Sequence, residues 1–166
     1  MAVSVNNAQR TVPVNVARMA RVARCAVHRL GIRARGRLDI TFVDAGRMRM
    51  LNRQFCRRDV DTDVLSFRYD GESVVGDILV CPSAARQYAR QHRVAYTEEL
   101  ARYVVHGLLH WVGYKDRTME QQRLMRIMEG QILARCMNRP VGTDKWDISI
   151  FSSRKAKEKT ETSRRA

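Results

Sequence analysis

The sequence predicts an α+β fold: a small mixed four-stranded sheet packed with about five helices. Short apolar/polar alternations bounded by turn residues mark the strands, and longer segments with apolar residues at helical spacing mark the helices. No stretch repeats itself, so a solenoid is excluded. At 166 residues the chain is long enough for one full core without staples.

The first strand is the Val3–Val5 alternation, expected at a sheet edge. Pro13 is placed to open a helix running to Leu30, closed by Gly31. Val16, Met19, Ala23, Ala26, Val27 and Leu30 share one arc of it, while Arg18, Arg21, Arg24 and Arg29 take the opposite arc. Residues 38–43 alternate as a strand, and 45–55 read as a helix. Residues 64–67 and 77–80 are two more strands, separated by a turn at Asp70 and Gly71. A helix follows from Ser83 to Gln91.

Thr97 is expected to cap the next helix, with Glu98 and Glu99 at the positive end of its dipole. Leu100, Val104, Val105, Leu108 and Leu109 make that helix the apolar, central one. Thr118 and Gln121 spell a capping box for a last helix reaching Met137. Residues 1–151 are read as one domain and 152–166, rich in Lys, Arg, Glu, Ser and Thr, as a basic disordered tail.

The formal net charge is +14, and no acidic residue precedes Asp39. Such a surplus points to a polyanionic partner, nucleic acid first and an anionic membrane surface second. No window approaches the roughly 18 apolar residues of a membrane span, and the N-terminus lacks the apolar run of a signal peptide. A cytoplasmic protein is expected. Its cysteines, Cys25, Cys56, Cys81 and Cys136, form no CxxC pair and are expected reduced and mostly buried.

The chemistry concentrates in residues 106–116. His106 and His110, four apart on the central helix, can present both imidazoles on one face. Gly113 ends the helix and lets the chain turn back, so that Asp116 arrives where a third ligand is needed. Three protein ligands with a position left open describe a catalytic metal site, and zinc suits two imidazoles and a carboxylate. The residue after His106 is Gly107, whereas an HExxH peptidase needs a glutamate base there. That argues against peptide hydrolysis and toward a phosphodiester, whose charge such a metal would steady.

These residues resemble the YbeY-type endoribonucleases, the bacterial ribosomal-RNA maturation factors. The resemblance lies in His106, Gly107, Leu109, His110, Gly113 and Tyr114. It extends to Leu51, Asn52 and Asp59, to residues 62–67, and to Gly76, Asp77 and Ile78. Glu99 and Leu100 before the histidines match as well, with Met125 and Glu129 after them. It implies an α+β fold and a zinc-dependent endonuclease of single-stranded RNA. It further implies ribosomal RNA 3′-end maturation and ribosome quality control, with the small ribosomal subunit as partner.

The chain departs from the family at three places. Asp116 stands where the family usually has a third histidine, and an anionic ligand makes a less electrophilic site. Cys56 stands where an arginine usually follows the aromatic. Arg57 is the candidate to serve the phosphate instead, although neighbouring helical side chains point about 100° apart. Asp61 replaces a proline before Thr62. The rival expectation is therefore an RNA- or ribosome-binding assembly factor with weak or lost catalysis. Asp63 and Thr62 are expected to organise the turn into the strand. Asp77 is a candidate to orient a ligand histidine or simply to satisfy backbone donors. His28 and His92 are read as surface residues.

Overall fold

A computed structural model describes residues 1–70 and 73–137. The expected tail and Gly71 of the expected turn lie outside the described residues. In chain order the elements are β1 (Ala2–Asn7), α1 (Val16–Arg29), β2 (Arg37–Phe42), α2 (Ala45–Cys56) and β3 (Val64–Arg68). They continue with β4 (Val74–Val80), α3 (Pro82–His92), α4 (Tyr96–Trp111) and α5 (Met119–Cys136). The expected α+β architecture is present, a four-stranded sheet with five helices among the described residues.

The strand order is β1-β2-β4-β3. β1 and β2 run parallel, as do β2 and β4, while β3 pairs antiparallel to β4, with Ser66 opposite Ile78. The sheet is thus mixed, and β1 is the edge expected from its short alternation.

Period-2 alternation sorts the side chains onto two faces. Leu38, Ile40 and Phe42 of β2 join Ile78 and Val80 of β4 in the main core, against Met19 and Val22 of α1, Val104 and Leu108 of α4, and Ile132 of α5. The opposite face gathers a smaller cluster of Val43, Met48, Leu65 and Cys81, with Phe67 and Leu79 packed on it. Met48 belongs to α2, so α2 covers the face that α4 does not.

Helix starts differ from the sequence expectation at three points. α1 begins at Val16, capped by the Asn15 side chain accepting from the Arg18 N–H, so Pro13 precedes the cap instead of opening the helix. α3 begins at Pro82. α4 begins at Tyr96 with Ala95 as its N-cap and no side-chain capping bond, so Thr97 falls inside the helix. The capping box at Thr118 and Gln121 is present in both directions.

The expectation of uniformly reduced cysteines is corrected. Cys25 of α1 and Cys136 of α5 are joined by a disulfide, 111 residues apart in sequence and 5.7 Å apart between Cα atoms. Spacing alone could not show this pairing, because it arises only where α1 packs on α5. Cys81 is free and buried, and Cys56 is free and exposed.

Candidate metal centre

α4 lays its apolar face on the sheet and keeps its histidines at the rim. Gly107 is the point of closest approach. A Cβ built there would lie 2.5 Å from Cγ2 of Ile78 and 2.9 Å from Cγ1 of Val64. The Ser66 hydroxyl also donates to the Gly107 carbonyl, at 3.2 Å. The position after His106 therefore faces the sheet, which leaves no space for a glutamate base. Gly107→Ala is expected to destabilise the fold by about 1–3 kcal/mol through overpacking, read as a lower midpoint in urea unfolding.

α4 ends as its sequence requires. Gly113 takes φ +101°, a conformation costly for other residues. Its N–H donates to the His110 carbonyl at 2.9 Å, and the Tyr114 N–H donates to the Leu109 carbonyl at 3.0 Å. This paired closure is the Schellman pattern. It reverses the chain so that Asp116 returns to the helix.

His106, His110 and Asp116 come together. The Asp116 Oδ2 lies 3.5 Å from Nε2 of His110 and 3.9 Å from Nε2 of His106. One ligand atom from each residue falls within 4.8 Å of the others, and among the described residues this is the one such group. Tetrahedral donors at about 2.0–2.2 Å from zinc sit roughly 3.3–3.6 Å apart. The two distances to Asp116 are close to that spacing, and the donor set fits one ion once the three atoms draw in around it.

The hydrogen bonds on the far sides of the rings fix which nitrogens face Asp116. Nδ1 of His110 lies 2.9 Å from the Tyr114 carbonyl, which can only accept. Nδ1 of His106 lies 2.7 Å from Oε1 of Glu129. Both Nδ1 atoms therefore carry the proton as donors, and both Nε2 lone pairs are directed to the ligand side. Burial is the largest influence on His106 and disfavours its imidazolium. The Glu129 hydrogen bond and charge, aided by Asp63 and Asp116, outweigh it and raise the pKa above the ordinary histidine value.

Glu129 is itself held. It is 5% exposed, and its other oxygen lies 3.4 Å from Nη1 of Arg102, whose Nε lies 3.2 Å from the buried Glu99. Burial pushes the Glu99 carboxyl above its usual range, against the pull of Arg102. Asp77 does not reach the histidines. It accepts from the Tyr69 hydroxyl at 2.8 Å. The orienting carboxylate comes instead from α5, and the sequence carries a signal for it. Glu129 is an acid four residues after Met125 and three before Ile132, inside the buried stripe of that helix.

Arg57 and Arg58 part company at the end of α2. Arg57 is the C-cap residue with φ +56°, and its N–H donates to the Asn52 carbonyl. Arg58 lines a cleft of about 520 Å³ together with His110, Lys115, Asp116 and Arg117. Asn52, 4% exposed, organises this turn. Its carbonyl also accepts from the Arg58 N–H, and its side chain donates to the Val60 carbonyl at 2.8 Å.

Asp63 accepts from the Val64 N–H, and the Thr62 hydroxyl donates to the Val64 carbonyl. Both shape the entry to β3. His28 and His92 are exposed, His92 stacking on Tyr88 with ring centroids 3.9 Å apart.

The family described as Endoribonuclease YbeY matches the chain over residues 4–137. An Endoribonuclease YbeY of Flavobacterium psychrophilum is 35% identical over 102 residues, covering 61% of this chain and 73% of that protein. One from Acidothermus cellulolyticus is 32% identical over 137 residues, covering 74% of this chain and 84% of its own. A Thermotoga maritima protein solved in solution superposes with a TM-score of 0.55 at 21% identity, covering 86% of this chain and 99% of that one, a likeness of fold.

Proposed function

Because this chain belongs to the endoribonuclease YbeY family, we propose that it is a zinc-dependent endoribonuclease of single-stranded RNA. Its work would lie in ribosomal RNA 3′-end maturation and ribosome quality control, with the small ribosomal subunit as partner. The observation that carries the reading is the convergence of the His106, His110 and Asp116 donor atoms beside a cleft rimmed by cations.

In this reading His106, His110 and Asp116 hold the ion, and Glu129 and the Tyr114 carbonyl keep the two imidazoles in the ligating tautomer. When bound, zinc lowers the pKa of a water and neutralises charge on phosphoryl oxygens. Arg58, Lys115 and Arg117 are the cleft's cations, and they bind the backbone phosphates around the scissile one. Arg57, exposed and next to Arg58 in the chain, adds its charge to the same field. Single strands reach such a recessed site more readily than a duplex does.

The test is cleavage of single-stranded RNA by protein of known zinc content, with and without chelator. Cleavage that chelator abolishes and added zinc restores is expected. Stoichiometric zinc without chelator-sensitive cleavage would sink the nuclease reading. It would leave the binding factor, the alternative favoured by Asp116 standing in place of a third histidine.

No described helix is long and apolar enough to cross a membrane. A cytoplasmic location is part of the proposal, as is the division into a domain over 1–151 and a basic tail over 152–166.

A further inference from the structure

α2 and the turn after it carry a feature that the metal centre does not use. Residues 45–58 hold five arginines and no acidic residue. Arg49 is matched by Asp59 at 2.8 Å, while Arg53, Arg57 and Arg58 are exposed and take part in no ion pair with a described residue. Among these cations stands Phe55, 58% exposed.

Phe55 is not a loose side chain. Its ring and that of Phe67 form a T-shaped pair, with centroids 5.3 Å apart and planes at 64°. Phe67 in turn packs on the cluster of Val43, Met48, Leu65 and Cys81. The Phe55 ring is thus anchored on one side while more than half of the residue remains in water. An aromatic ring held open at the surface among guanidinium groups is how proteins grip single-stranded nucleic acid. The ring stacks an unpaired base and the cations take the phosphates.

The turn that follows α2 links this ring to the metal centre. Phe67 and Ser66, neighbours on β3, leave the sheet on opposite faces, Phe67 toward α2 and the Ser66 hydroxyl to the Gly107 carbonyl, so the link runs around the sheet through that turn. Arg58, three residues after Phe55, lines the cleft with His110 and Asp116. The Asn52 carbonyl and amide fix the turn that carries it.

We propose that Phe55 is a stacking platform for one unpaired base of a single-stranded RNA, with Arg53, Arg57 and Arg58 holding the neighbouring phosphates as the strand enters the cleft. The proposal rests on the nuclease reading for the nature of its ligand. It adds which face of the molecule the strand crosses. The net charge of +14 and the lack of any acidic residue over 45–58 favour a polyanionic strand over a protein partner at Phe55.

The test is fluorescence anisotropy of a labelled single-stranded oligoadenylate, beside an RNA duplex, with the full chain on ice and the recovered oligonucleotide checked for integrity. Phe55→Leu keeps the apolar contact with Phe67 and removes the stacking face. It is expected to weaken single-strand binding by about tenfold with the salt dependence unchanged. Phe55→Tyr is expected to bind as the wild type does. Arg58→Gln is expected to lower the slope of log affinity against log salt by about one.

Phe55→Leu and wild type binding the single strand equally, at matched melting temperatures, would overturn the platform and leave the nuclease reading standing. Wild type that binds the duplex as tightly as the single strand would overturn it too. Wild type that binds no single-stranded RNA would overturn both.

Discussion

Asp116→Ala is expected to lose metal affinity by more than about a hundredfold, beyond the range that loss of an orienting partner costs, while Asp116→His retains it. The carboxylate is the one donor besides the two Nε2 atoms in the group, so alanine leaves two ligands where a catalytic zinc site needs three. Competition against a chromophoric chelator, with metal content of the purified protein alongside, measures the change. Equal affinity in wild type and Asp116→Ala would show that Asp116 merely shapes the turn. Asp116→His bears on the chemistry as well as on binding. A neutral third imidazole makes the centre more electrophilic than a carboxylate does, so its rate profile is expected to shift to lower pH.

Glu129→Gln and Glu129→Ala probe the other side of the same imidazole. Glutamine keeps an acceptor for Nδ1–H but loses the charge, and is expected to weaken metal binding by about tenfold. Alanine removes the acceptor and is expected to approach a hundredfold. Both changes leave Arg102 with only Glu99 as a partner, so a lower melting temperature accompanies them. The discriminating readout is the histidine tautomer, followed by nitrogen NMR of the metal-free protein. In Glu129→Ala the His106 ring is expected to populate both neutral forms while His110 does not change. An unchanged His106 spectrum with unchanged affinity would show that Glu129 is only a buried partner for Arg102.

The convergence of His106, His110 and Asp116 was legible in the sequence because it is local. His106, His110, Gly113 and Asp116 lie within three turns' worth of chain, and each residue type states its own geometry: helical spacing, a left-handed stop, a returning carboxylate. The strands were legible for the same reason, since alternation at 38–43 and 64–67 reports burial directly. What was not legible depends on contacts between distant elements. Glu129 meets His106 across 23 residues, Cys25 meets Cys136 across 111, and nothing in either neighbourhood names its partner. Arg58 and Arg57 could not be separated by sequence either. Which of them lines the cleft is decided by the left-handed turn at Arg57, whose angles no local pattern demanded.

The two histidines also differ in what evolution can do to their supports. The tautomer of His106 depends on a side chain, so a single nucleotide change in the codon for Glu129 can remove it. The tautomer of His110 depends on the carbonyl of Tyr114, an atom that every amino acid supplies. Saturation mutagenesis should therefore find position 129 narrow and position 114 tolerant with respect to the tautomer of its histidine, although the two stand equally close to the same centre. One half of the centre is written in the genetic code and the other in the path of the main chain. Drift in this lineage should erode the first before the second.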